Sequence, residues 1–232
     1  MQVTEAIILA GGLGTRLRDA VPDLPKCMAP VNGKPFIYHI VHHLEKQGIK
    51  HFIFSLGYKS DAFIQYLSEL LPSGNYELAI ETEPLGTGGA IQFAGSYARI
   101  ENVLVVNGDS IFKADINSLT DFHFAHNSYC TLALKPMENF ERYGAVELND
   151  DNTIASFREK QFYEKGLING GVYILNIKRY LAEMFPEKFS FETGYLQEYY
   201  THGRIYGMIQ DGYFIDIGIP EDYTKAQKEL ID

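Results

Sequence analysis

The sequence has no tryptophan and, among 232 residues, only two cysteines, Cys27 and Cys130. Two cysteines make no disulfide framework, so a reducing compartment is expected, with the cytoplasm as the default. Long apolar runs are missing too: none approaches the ~20 residues of a membrane span. The opening segment, "MQVTEAIILAGG", lacks the basic stretch and long apolar core of a signal peptide. Positive charge is scarce, with 20 Lys and Arg against 30 Asp and Glu and a formal net charge of −10. An acidic surface disfavours nucleic-acid phosphates and anionic membranes. It leaves room for a locally basic pocket that holds a small anion. No repeat, low-complexity tract or Pro/Ser linker interrupts the chain, so residues 1–232 are read as one domain.

What is present is an alternation. "TEAIILA", "HFIFSL", "YELAIE" and "NVLVVNGD" are short apolar runs of strand type. Between them, "PFIYHIVHHLEKQG" sets Ile37, Ile40, Val41 and Leu44 on one helical face, with Gly48 as its stop. "SDAFIQYLSELL" spaces Phe63, Tyr66, Leu67 and Leu70 as a helix, and "GTGGAIQFAGSYA" predicts another opened by glycines. Near-continuous apolar strands alternating with helices imply a sheet covered on both faces. From about Tyr129 the rhythm changes: "CTLALKP", "YGAVELN", "TIASFRE" and "LINGGVYILN" follow with short turns, as mixed or antiparallel strands do. "KRYLAEMF" and "PEDYTKAQKELI" read as helices. The fold class expected is α/β, with a Rossmann-like, mixed but mostly parallel central sheet flanked by helices and a β-rich second half.

Open α/β sheets bind ligands beyond the carboxyl ends of their strands. The stretch after the first strand, "ILAGGLGTRLRDAVPDLPK" at residues 8–26, is therefore the first candidate. It is neither of two familiar phosphate loops. Thr15-Arg16 follows Gly14, where a P-loop needs Lys-Ser or Lys-Thr, and Leu17 stands where the dinucleotide fingerprint needs its third glycine. Its glycines can turn successive N–H groups on an anion, with Arg16, Arg18 and Lys26 adding charge.

Gly11-Gly12-Leu13-Gly14-Thr15-Arg16-Leu17, followed by Pro25-Lys26, resembles the signature of the nucleotide-sugar pyrophosphorylases. These enzymes join a nucleoside triphosphate to a sugar 1-phosphate. The resemblance runs from "ILAGG" to "DIGIPEDY" and implies the nucleotide-diphospho-sugar transferase fold. It places the nucleotide in about residues 1–128 and the sugar phosphate in about 129–232. It implies that Arg16 and Lys26 contact the triphosphate as the catalytic cations. Leu9, Ala10, Gly11, Gly12, Gly14, Thr15, Glu83, Gly86, Thr87 and Gly108 would hold the nucleotide.

Two acids far apart, Asp109 in "NGD" and Asp216 in "YFIDIGIPEDY", each close an apolar strand. Either alone is an ordinary turn or cap residue. Together they match the family's Mg²⁺ pair, and Mg²⁺ takes one or two carboxylates plus phosphate oxygens. Glu221 and Asp222 read as structural acids at a helix start. "EPLGTGGA" occupies the family's base-binding position. A carboxylate at Glu83 can accept both N–H donors of guanine's Watson–Crick edge, which points to GTP. For the sugar 1-phosphate the resemblance assigns Tyr143, Gly144, Glu159, Lys160, Asn169 and Gly170, the acid of the Glu-Lys pair taking hydroxyls and the lysine the phosphate. Gln161 departs from the usual proline that follows that pair.

Within the family the chain is most similar to the guanylyltransferases that act on a heptose 1-phosphate, which supply bacterial surface polysaccharides. Those for mannose 1-phosphate, then the thymidylyltransferases for glucose 1-phosphate, are the rivals. A cytidylyltransferase for a non-sugar such as phosphocholine stays open, although it would need an aromatic and acidic cage. A non-catalytic nucleotide-sugar sensor is disfavoured by the presence of Lys26, Asp109 and Asp216. A homodimer and a compact single-function form without an acyltransferase extension are expected from relatives. His39, His42 and His43 share helical spacing but are read as structural, and Cys27 as packing.

Overall fold

The structure is a computed structural model that describes residues 2–12, 24–57 and 60–230. The strands are β1 (Glu5–Leu9), β2 (Pro30–Val31), β3 (Lys34–Pro35), β4 (His51–Leu56), β5 (Tyr76–Ile80), β6 (Asn102–Asn107) and β7 (Ser110–Phe112). They continue with β8 (Cys130–Phe140), β9 (Gly144–Leu148), β10 (Ile154–Lys160), β11 (Tyr163–Asn176), β12 (Ile205–Ile209) and β13 (Phe214–Asp216). The helices are α1 (Phe36–Lys46), α2 (Ser60–Leu70), α3 (Gly86–Gly95), α4 (Ile116–Ala125), α5 (Ile177–Ala182), α6 (Gln197–Tyr199) and α7 (Pro220–Glu229). A π-helical turn, Glu192–Leu196, leads directly into α6.

A nine-stranded mixed sheet forms the centre. β5, β4, β1 and β6 are parallel neighbours in that order. β11 then runs antiparallel to β6 and carries β8 and β9 beside it; β12 adds parallel to β8 and β10 antiparallel to β9. Within this sheet only β10 and β11 oppose the common strand direction.

Side-chain alternation explains why the parallel strands are apolar throughout. Ile8, Phe52, Phe54, Leu104 and Val106 face one core layer with α1 residues Ile37, Ile40, Val41 and Leu44. Ile7, Ile53, Val103 and Val105 face the other, with Ile91 and Ala94 of α3 and the aromatic group around Tyr180, Phe191 and Tyr195. Each fully buried side chain of this size stabilises the fold by about 1.5–3 kcal/mol. Both faces of the sheet are thus covered, as the apolar strands imply.

Several elements, α4 and β12 among them, have no counterpart in the sequence expectations. α4 is capped by Asp115, whose carboxylate accepts the Ser118 N–H at 3.0 Å. β12 completes the edge beside β8. Among the described residues no helix is long and apolar enough to cross a membrane.

Candidate active site

Four parallel strands end at one cavity of about 380 Å³. β1 delivers Leu9, Ala10, Gly11 and Gly12; β4 delivers Ser55; Glu81 follows β5; Asn107, Gly108 and Asp109 close β6. Gly86, Thr87 and Ala90 of α3 form the facing wall. A second cavity of about 550 Å³ is lined by Tyr143, Gly144, Glu159, Lys160, Asn169, Gly170 and Asp216. Asn107, Asp109 and Glu192 line both cavities, so the two adjoin there. Every described residue expected to hold the sugar phosphate lies on the second cavity. Gly14, Thr15 and Arg16 lie outside the described residues.

The junction is built by a two-stranded ribbon. β13 pairs antiparallel with β7, setting Asp216 opposite Ser110, next to Asp109 in the chain. The Ile217 N–H donates to the Asp109 carbonyl at 3.0 Å and completes the alignment. From the opposite side a helical turn after Pro25 presents Lys26. Its Nζ lies 2.7 Å from Asp109 Oδ2 and 3.5 Å from Asp216 Oδ1. The lysine side chain is only 11% exposed, so its charge depends on these two counter-ions. Gly218 permits the approach: its N–H donates to Asp216 Oδ1 at 2.7 Å. A Cβ there would stand 2.8 Å from that oxygen and 3.0 Å from Lys26 Nζ. The two carboxylates converge on one cation, which is what a divalent ion with one or two carboxylate ligands requires. Among the described residues no group of three or more His, Cys, Asp or Glu does so.

The base end differs from expectation. Glu83 is exposed and does not line the cavity, whereas Glu81 does. Glu81 Oε1 accepts the Ser55 hydroxyl at 2.8 Å and its Oε2 accepts the Leu85 N–H at 3.1 Å. These bonds pin the turn inward at residue 81 and leave residue 83 toward solvent. Glu81 carries the same signal as the other site acids, an acid straight after an apolar strand. Gly88 and Gly89 serve packing: a Cβ on Gly88 would meet the Phe189 ring at 2.3 Å, and one on Gly89 the Glu187 carbonyl at 2.2 Å.

That close packing brings the segment after residue 189 over α3. Glu192 Oε2 accepts the Thr87 hydroxyl at 2.7 Å and the Ser190 hydroxyl at 2.9 Å. The π-helical turn re-aims this stretch, a common feature at functional sites. On the other wall, β11 changes register between Asn169 and Tyr173, the bulge lying against the cavity. Asn169 spends its side chain there, accepting from the Gly171 N–H at 3.0 Å and donating to Tyr173 Oη at 2.8 Å. Glu159 and Lys160 end β10, exposed and with no ion pair or side-chain hydrogen bond among the described residues. Gln161 donates to Tyr163 Oη at 3.2 Å.

Two residues read as structural, His39 and Cys27, are buried. His39 is buried against the Val31 carbonyl, 3.1 Å from its Nε2. Cys27 is buried under the first cavity; burial, then the charge of Asp109, pushes its thiol up to about 12, so it stays protonated.

The nucleotidyl transferase family model matches residues 5–232. The chain belongs to the nucleotidyl transferase family. It is 49% identical over 226 residues to D-glycero-alpha-D-manno-heptose 1-phosphate guanylyltransferase of Aneurinibacillus thermoaerophilus, covering 97% of this chain and 98% of that one. It is 44% identical to the enzyme of the same name from Campylobacter jejuni, covering 94% of this chain and 96% of that one. HddC from Yersinia pseudotuberculosis, solved in complex with GMP-PN, superposes with a TM-score of 0.86 at 36% identity, over 99% of this chain and 100% of that one. In this nucleotidyl transferase Gly11 and Gly12, which open the family signature, line the first cavity.

Proposed function

We propose that this protein transfers GMP from GTP to D-glycero-α-D-manno-heptose 1-phosphate, giving GDP-heptose and pyrophosphate. The observation that carries the reading is the near full-length identity of 49% and 44% to two enzymes of that name. The two adjoining cavities support it, because a transferase of this type must hold both substrates at once.

In this reading the triphosphate lies along Gly11 and Gly12, and the guanine against the turn from Glu81 to Thr87. Backbone groups of that turn are available to read the base. Glu83 reads it only if the turn opens inward. The heptose occupies the second cavity, with Glu159 taking hydroxyls and Lys160 the phosphate.

A sugar-phosphate oxygen attacks the α-phosphorus of GTP. One P–O bond forms, the bond to the bridging α,β-oxygen breaks, and pyrophosphate leaves. No covalent enzyme intermediate is needed; positioning and charge neutralisation suffice. Asp109 and Asp216 would hold Mg²⁺, which would neutralise phosphate charge. Lys26 leaves its two carboxylates as the substrates arrive and takes up triphosphate oxygens.

A substrate matrix tests the function. GTP, dTTP, UTP, CTP and ATP are each crossed with heptose, mannose and glucose 1-phosphates and phosphocholine, and pyrophosphate release is followed. Turnover confined to GTP with the heptose supports the proposal. A preference for another pair overturns the substrate assignment while leaving the chemistry. Silence in every cell overturns the proposed activity itself.

A further inference from the structure

Arg142 and Asp222 line neither substrate cavity, yet they lead directly to Asp216. Both border a separate recess of about 340 Å³ that has Tyr143 and Asp216 on its near wall. Arg142 Nη2 is ion-paired with Asp222 of α7 and donates to Tyr143 Oη at 2.8 Å. Its guanidinium also lies over the Tyr143 ring, 5.3 Å from the centroid. Tyr143 Oη in turn donates to Asp216 Oδ2 at 3.4 Å.

The direction of this chain follows from the chemistry of its members. Arginine has only donors, so its bond occupies a lone pair of the phenol and turns the O–H elsewhere. A phenol, whose ordinary pKa is about 10, keeps its proton at neutral pH, so the hydroxyl remains a donor and the acid at 3.4 Å is its acceptor. Asp216 Oδ1 is already fixed by the Gly218 N–H. A second donor on Oδ2 therefore sets the rotation of the whole carboxylate. Asp222 neutralises the guanidinium, which preserves the negative potential at Asp216.

We infer that Arg142, anchored by Asp222, is a positioning residue that acts through Tyr143 to orient the Asp216 carboxylate toward the cation it shares with Asp109. This rests on the reading of Asp109 and Asp216 as the metal pair. Outer partners of metal ligands are typically worth ~10–100-fold in metal affinity.

The test measures binding of Mn²⁺ by electron paramagnetic resonance, with the full chain and an unreactive α,β-methylene GTP analogue. Arg142→Met and the near-isosteric Tyr143→Phe should each weaken Mn²⁺ binding about 10-fold or more. The double variant should be no weaker than the worse single one, since both break the same chain. Asp222→Asn should give a smaller loss. Thermal unfolding of each variant establishes that it is folded. Wild-type Mn²⁺ affinity in folded Tyr143→Phe or Arg142→Met, or fully additive losses, overturns the relay. Wild-type affinity in Asp216→Asn overturns instead the metal-pair reading beneath it.

Discussion

The two cavities that meet at Asp109 are built on opposite plans. The first takes much of its lining from the ends of parallel strands, with five glycines among its residues, and its charges are already satisfied. Lys26 lies between two carboxylates, and both oxygens of Glu81 are occupied. The second is lined by residues of antiparallel strands and of the segment beyond residue 189, and its charged pair, Glu159 and Lys160, is exposed and has no side-chain partner among the described residues. A preorganised pocket needs little reorganisation when charge shifts during reaction. A pocket of unpaired surface charges waits for its ligand to order it. Changes at the paired charges of the junction should therefore appear in kcat, changes at the turn held by Glu81 in KM for GTP, and changes in the second cavity in KM for the sugar phosphate.

Lys26→Ala is expected to have the largest effect. It removes the cation from the junction and should lower kcat about 10²–10³-fold while the protein stays folded. Near-normal turnover would remove Lys26 from the chemistry and erase the contrast. Next, Lys160→Ala should raise KM for the sugar phosphate ~10–100-fold, the worth of a hydrogen bond to a charged group. KM for GTP should stay put; a parallel rise in both would mean that the cavities are not separable. Within the first cavity, Glu81→Ala should raise KM for GTP about 10-fold by freeing the pinned turn, with Glu83→Ala nearly silent. The reverse order would return base reading to Glu83.

Gly11, Gly12 and the strand-end acids could be placed at the crevice from sequence because each signal is local, whereas the Glu-Lys pair, which also lines a cavity, was pointed to only by the family resemblance. An apolar run supplies a strand, and a polar residue at its end supplies a group in the crevice. Asp216 was legible for the same reason, despite standing 107 residues from Asp109 in the chain. The roles that escaped depend on contacts between distant segments. The glycines of "GTGGA" read as the opening of a helix, and nothing local shows that Gly88 and Gly89 admit Phe189 and Glu187. Glu192 reaches both cavities only because that packing lays its segment across α3. Asp222 read as a helix-start acid, and nothing in its neighbours indicates that Arg142 will meet it. Glu81 and Glu83 differ by two positions, and the turn that separates inside from outside is set by Ser55 on another strand.

A prediction on stability rather than turnover concerns the sheet beneath both cavities. His123 of α4 is buried between Thr131 Oγ1 at 2.9 Å and Asn102 Oδ1 at 3.0 Å. Burial pushes its pKa down from 6.5 to about 4. Below 6.5 the unfolded chain binds a proton that the fold resists. The stability is therefore full above that pH and is lost as pH falls toward about 4, by an amount of order 3 kcal/mol. Urea titrations at pH 7 and pH 4.5 should show this loss, and His123→Gln should show less of it. An equal pH dependence in the variant would assign the loss to other groups.

The central claim is that the two cavities serve one direct displacement at a single phosphorus. The stereochemical course at that atom tests it. With a single diastereomer of GTP carrying sulfur on the α-phosphate, the account predicts GDP-heptose with inverted configuration. Net retention would mean two displacements through a nucleotidylated enzyme, and would contradict it.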